Sequence, residues 1–217
     1  MNNPLINILI RTSNRPNYFA NCMKSIQAQT YTNYRLIVSY DDEKDLKYIN
    51  YFQNDNFDVV KVNTISIKDI PDTKESGFYK SPYNLYLNTL MNEVKEGWIL
   101  YLDDDDKFTS KTSLRTIINH IQNEDNLILW RVLVYIPHKV IVPDCANFGN
   151  EPRLCNIGGS CVLFHNKYIK EAQWDGYSCG DYRVISNLYK IIPDKIWINE
   201  VLIANQTISG FGKRNDL

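Results

Sequence analysis

Trp98-Ile99-Leu100-Tyr101-Leu102 runs straight into Asp103-Asp104-Asp105-Asp106. Five apolar residues in unbroken succession read as a strand buried on both faces, as in the middle of a parallel sheet. Four carboxylates placed side by side repel one another, and a divalent cation, which prefers oxygen ligands, is one way to offset that repulsion. A solvated acidic turn is the plainer reading of such a run. The strand ahead of it argues the other way, because it delivers the run from a buried core.

Toward the N-terminus the same grammar repeats. Asn7-Ile8-Leu9-Ile10 is a short apolar run that stops at Arg11-Thr12-Ser13-Asn14-Arg15-Pro16. Pro16 suits the first position of a helix. Phe19, Cys22, Met23 and Ile26 then recur at helical spacing. Leu36-Ile37-Val38 reads as a second buried strand ending at Asp41-Asp42, and Leu46, Ile49 and Phe52 as a short helix. A third strand is expected near Val59 to Val62, then a long polar connector from Thr64 to Ser81, and a helix over Tyr83 to Val94. Loops of that length in a compact domain are often functional. After the aspartates, Leu114, Ile117, Ile118 and Ile121 predict a further helix, and Leu127 to Ile136 a strand.

Apolar strands alternating with helices predict an α/β fold, a mostly parallel central sheet flanked by helices. Ligands of such sheets bind beyond the carboxyl ends of the strands. Three polar strand ends, Thr12 to Arg15, Asp41-Asp42 and Asp103 to Asp106, are therefore expected in one crevice. From Pro137 the pattern is less regular and shows no clean linker. The expected organisation is one domain over 1–217, with a nucleotide-binding half to about residue 106 and an acceptor-side half over about 107–217.

Bulk properties narrow the classes. The chain has 217 residues, 44% of them hydrophobic, enough for a buried core. A net charge of -1 gives no reason to expect nucleic acid as a partner. Neither a signal peptide nor an apolar run of the roughly 20 residues that cross a bilayer is read. Five irregularly spaced cysteines without a CxxC pair do not suggest zinc. They read as free thiols in a reducing cytosol, so a cytoplasmic protein is expected, whether or not it is peripheral to a membrane or a complex.

Three stretches together resemble family 2 glycosyltransferases of the GT-A fold. Ser25-Ile26-Gln27-Ala28-Gln29-Thr30-Tyr31-Thr32-Asn33-Tyr34-Arg35-Leu36-Ile37-Val38, followed by Asp41-Asp42, is similar to the family's opening segment. The strand that ends in Asp103 to Asp106 is similar to its DxD strand. Trp174-Asp175-Gly176-Tyr177-Ser178-Cys179-Gly180-Asp181-Tyr182 is similar to the segment that bears its catalytic carboxylate, with Gly-Asp in place of Glu-Asp. Ser160 to His165 resembles the bacterial spore-coat polysaccharide branch of that family.

The resemblance implies an inverting transferase that moves a sugar from a nucleotide-diphosphate sugar, UDP favoured, to a glycan, protein or lipid-linked acceptor. It implies Mn²⁺ or Mg²⁺ as cofactor. Asp41 is then expected to hold the base, with Thr12 and Arg15 along the same nucleoside pocket. Asp105 is the expected metal ligand, with Asp103 or Asp104 nearer the ribose. Asp181 is the expected general base, a role for which a positioned carboxylate is suited. The family's late basic element has no clear match; Asn205-Gln206-Thr207-Ile208-Ser209 stands in its place, followed by Lys213 and Arg214.

Further residues admit a plainer role beside the functional one. Lys80 in the long connector is read as a phosphate clamp or a solvated lysine. Arg11 is read as a partner of an aspartate or of the diphosphate. Asp175 belongs to the acceptor site or caps a turn, and Trp174 and Tyr177 stack on a sugar or pack in the core. His120, His138 and His165 read as structural. Two further functions stay open. A sugar nucleotidyltransferase is disfavoured because the turn from Arg11 to Pro16 lacks glycine, and a sugar-nucleotide- or cation-binding module without transferase activity remains.

Overall fold

Asn7 to Ile10 form the centre of β1 (Ile6–Arg11), buried along its length except at Arg11. The computed structural model describes residues 3–72, 77–135 and 138–206. Parallel neighbours flank β1: β2 (Tyr34–Tyr40) on one side and β4 (Trp98–Tyr101) on the other, with β3 (Phe57–Lys61) beyond β2. All four residues of β4 are buried, as its continuous apolar run predicts. Gly97, just before β4, has φ +85°, and a Cβ there would stand 2.5 Å from the carbonyl oxygen of Leu5. Only glycine lets β4 start this close to the entry of β1.

The helices follow the apolar periodicities. In α1 (Pro16–Gln27), Pro16 opens the first turn, and Phe19, Cys22, Met23 and Ile26 are the buried face. The helix α2 (Leu46–Ile49) is short and continues into a 3₁₀ turn that buries Phe52. The expected helix after the long connector begins as a 3₁₀ turn, Pro82–Leu85, and becomes α3 (Tyr86–Asn92).

The remaining elements are β5 (Asp106–Phe108), α4 (Ser113–Ile118), β6 (Asn126–Tyr135), β7 (Lys139–Val142), β8 (Val162–His165), α5 (Gly180–Ile191) and β9 (Asp194–Asn205). One sheet runs in the order β3-β2-β1-β4-β8-β6-β9-β5, with β7 paired to β6. The parallel arrangement holds through β3-β2-β1-β4 and again between β6 and β9. Antiparallel pairs join β8 to β4 and β6, β5 to β9, and β7 to β6. Apolar runs report burial and carry no direction, so these reversals leave no mark in the sequence. Trp98 and Trp130 are the largest fully buried side chains, and each burial of this kind contributes about 1.5–3 kcal/mol or more. No described helix is long and apolar enough to cross a membrane.

Candidate active site

Strand register dictates the first contacts. β1 and β4 pair with Leu9 opposite Tyr101. Two residues further along each strand, Arg11 meets Asp103, with Nε donating to Oδ1 at 2.9 Å and Nη2 to Oδ2 at 3.4 Å. β1 and β2 pair with Arg11 opposite Ser39. Two residues beyond, Ser13 Oγ donates to Asp41 Oδ1 at 2.9 Å, and Tyr86 donates its hydroxyl to Asp41 Oδ2 at 3.2 Å. The three expected strand ends do converge.

Inside the convergence the aspartate run is met by protein cations. Arg15, the residue just before α1, sends Nη1 to Asp104 Oδ1 at 2.8 Å and Nη2 to Asp105 Oδ2 at 2.7 Å. Thr12 Oγ1 donates to Asp104 Oδ2 at 2.8 Å and lies 3.0 Å from the Tyr48 hydroxyl. Arg15 is 6% exposed, Asp104 3% and Asp105 4%, so these charges are screened little by water. Arg15 is thus turned onto the acidic run. Asp106, also buried, begins β5 and accepts from Asn205 Nδ2 at 3.3 Å.

Burial pushes these carboxyls up. Asp104 is raised to about 8, chiefly by desolvation and against the pull of Arg15. Asp105 moves the same way for the same reasons, and Asp106 well above the ordinary carboxylate range through burial and its acidic neighbours. Burial works against the Arg15 charge, but Asp104 and Asp105 outweigh it and hold the guanidinium above its usual value.

A second group of residues faces the run. The segment around Lys80 is stitched to the segment before α5: Lys80 bridges Tyr177, Ser81 N–H donates to Gly176 at 2.6 Å, and Ser178 N–H donates to Tyr79 at 2.8 Å. Asp181 lies in the first turn of α5, where its Oδ1 accepts from the Tyr182 N–H at 2.8 Å. Burial raises its carboxyl, Asp103 adds to the rise, and Arg11 and Arg183 oppose it. Gly159 stands across from it, with a built Cβ there 3.8 Å from that of Asp181. Lys80 sets its ammonium 2.7 Å from Asp72, within its own connector.

All eight expected site residues, Thr12, Arg15, Asp41, Lys80, Asp103, Asp104, Asp105 and Asp181, line one cavity of about 630 Å³. Asp175 accepts from the Tyr177 N–H and is forked by Arg183, so it shapes a turn. Trp174 is buried against Tyr101 but still borders the cavity. His120 bonds the Thr116 carbonyl, and His165 packs edge-on against Trp98. Thr207 to Ser209, Lys213 and Arg214 lie outside the described residues.

No curated protein sequence matches the chain. A family model described as glycosyl transferase family 2 does, over residues 7–143, more than half of the chain. The chain belongs to glycosyl transferase family 2. Solved structures agree on the fold. S. aureus TarS 1-349 is 15% identical with a TM-score of 0.69, covering 92% of this chain and 60% of its own. The same protein in complex with UDP-GlcNAc is 14% identical, with a TM-score of 0.70 over 94% of this chain and 59% of that one. The mannosyltransferase PcManGT from Pyrobaculum calidifontis, in complex with GDP-Man and Mn²⁺, is 10% identical with a TM-score of 0.64, covering 96% and 59%. The chain thus spans about three fifths of the length of these neighbours. Its sheet and flanking helices are the GT-A fold.

For a family 2 glycosyltransferase the donor set can be tested for a divalent cation. Arg11 pairs with Asp103 and Arg15 with Asp104 and Asp105, and of the three Asp103 alone stands at the mouth, with 43% of its side chain exposed. Among the described residues no three His, Cys, Asp or Glu side chains are grouped to hold a metal by themselves. Asp103 is the carboxylate of the run open to a divalent cation, which would take one or two protein carboxylates and complete its shell with phosphate and water. Tyr48, Tyr86 and Asn84 are site residues that no sequence pattern indicates, because each lies on a helix or turn whose apolar neighbours carry the periodic signal.

Proposed function

We propose that this chain transfers a sugar, with inversion, from a nucleotide-diphosphate sugar to an acceptor hydroxyl, using Mn²⁺ or Mg²⁺. One observation carries the reading: a single cavity is lined by Asp41, by Asp103 to Asp106 and by Asp181. Its volume of about 630 Å³ lies inside the range of about 300–1,000 Å³ usual for small-molecule sites. On this reading the chain is one domain, with a donor half to about residue 106 and an acceptor half from about residue 107.

Each part has a task. Asp41, held by Ser13 and Tyr86, has its carboxylate fixed for the N–H groups of a base. UDP is the leading nucleotide, since TarS complexes hold UDP-GlcNAc and UDP, and GDP is its rival, since PcManGT holds GDP-Man. On this reading Asp103 or Asp104 is the carboxylate nearer the ribose, and Asp105, once released from Arg15, is the metal ligand. The cation, when bound, stabilises charge on the departing diphosphate. Asp181 takes the proton from the acceptor hydroxyl as that oxygen attacks the anomeric carbon. Its raised carboxyl makes it a better proton acceptor than an exposed aspartate. Lys80, once released from Asp72, is within the same cavity to meet phosphate.

The turn from Arg11 to Pro16 speaks against a sugar nucleotidyltransferase, because its cations are spent on aspartates and no glycine opens its backbone to a phosphate. Incubation with a panel of nucleotide sugars and Mn²⁺ tests the reading. The expected outcome is release of nucleoside diphosphate, by transfer or slow hydrolysis, abolished by chelation. A binding module would leave every donor intact.

A further inference from the structure

Asn84 is 5% exposed and uses both ends of its amide. Oδ1 accepts from Arg11 Nη1 at 2.9 Å, and Nδ2 donates to the Tyr177 carbonyl at 2.7 Å. The other donors of Arg11 fork onto Asp103, while its guanidinium carbon lies 5.0 Å from the centre of the Tyr83 ring and 5.8 Å from that of Trp174. Gly180, the residue before Asp181, is pressed against the same group. A Cβ there would stand 2.9 Å from Asn84 Nδ2 and 3.0 Å from the Trp174 ring. An unbroken run of contacts thus leads from Asp103 through Arg11 and Asn84 to the backbone that carries Asp181.

We propose that Arg11 and Asn84 are positioning residues, a bridge that sets Asp181 at its working distance from the donor carboxylates. The proposal rests on the transferase reading above. Two features separate the bridge from ordinary packing. The segment over 175–178 has further holds besides Asn84, from Ser81, Tyr79 and Arg183. Asn84, by contrast, joins it to Arg11, the partner of Asp103. A planar guanidinium suits this place, because it can fork onto one carboxylate while a third nitrogen serves an amide oxygen; a lysine ammonium cannot span both.

The test compares Asn84→Ala and Arg11→Lys with the wild-type protein, using UDP with Mn²⁺ for binding and a UDP-sugar that the wild type turns over for kinetics. Folding of each variant is checked by its melting transition. The expected result for Asn84→Ala is an unchanged nucleotide affinity with kcat about 100-fold lower, the scale that a displacement of about 1 Å of a reacting group costs. Arg11→Lys, whose partner Asp103 belongs to the donor half, is expected to lose kcat and nucleotide affinity together. A folded Asn84→Ala protein with wild-type kcat overturns the bridge, as does a loss confined to nucleotide affinity. If Asn84→Ala does not fold, Asn84→Asp, which keeps an oxygen for Arg11 and loses the donor to the Tyr177 carbonyl, decides by the same split. Absence of turnover in the wild type would remove the transferase reading itself, and is told apart by that control.

Discussion

Asp181→Asn is expected to bind nucleoside diphosphate as the wild type does and to transfer about 10²–10⁴-fold more slowly, the range a positioned general base contributes. Asparagine keeps the size of the side chain and an oxygen that can accept from the Tyr182 N–H, so the first turn of α5 is preserved. What it lacks is the ability to take a proton. The pH profile gives a second handle. Burial raises the Asp181 carboxyl, so the acidic limb of kcat/KM lies above the ordinary carboxylate range of about 3.9. Below that limb Asp181 is protonated and inactive as a base; above it the rate reaches its plateau. The asparagine variant loses the part of the limb that belongs to Asp181, and what remains reports the raised carboxyls of Asp104 to Asp106. Wild-type turnover in this variant would take Asp181 out of the base role.

Arg15→Met is expected to cost about 3–5 kcal/mol of stability at pH 9, where Asp104 and Asp105 are ionised, as removal of one partner from a buried ion pair does. Arg15, Asp104 and Asp105 have side chains only 7%, 4% and 5% exposed, so water cannot replace the lost charge. The sign of the pH dependence follows from the carboxyls. Their folded-state values are already raised above the unfolded ones, and loss of the guanidinium raises them further. A group of that kind favours the fold while protonated, and its contribution is lost as pH rises through the folded-state value. The deficit of Arg15→Met should therefore shrink on acidification from pH 9 through about 8 toward 6, measured by urea denaturation. A deficit under about 1 kcal/mol, the size of an exposed pair, would contradict the account.

Much of this architecture is legible in the residues. Phe19, Cys22, Met23 and Ile26 give α1, and the apolar run Trp98 to Leu102 gives β4, because burial on one stripe or on both faces leaves a period in the sequence. The convergence of Asp41 with Asp103 to Asp106 follows from parallel strands whose carboxyl ends share an edge. The partners of those aspartates are harder to read. Charge repulsion among four carboxylates points to a divalent cation, whereas Arg15 and Arg11 supply the nearest positive charge. Which way an arginine turns at a strand end depends on register and on the space left by α1, neither of which composition reveals. Asn84 and Gly180 meet across almost a hundred residues of chain, and nothing local in either segment announces the contact. The antiparallel entry of β8 between β4 and β6 is hidden for a related reason, since strand direction is set by the route of the connection.

The central claim is that the acidic run, together with a divalent cation, binds the diphosphate of a sugar nucleotide. Calorimetric titration of the protein with UDP, GDP and TDP, each with Mn²⁺ and again with the metal chelated, tests it directly. The account predicts that at least one nucleoside diphosphate binds with Mn²⁺, that chelation abolishes the heat, and that Asp105→Asn loses it. No binding by any of the three with Mn²⁺, or binding that is equal in the presence of chelator, would contradict it.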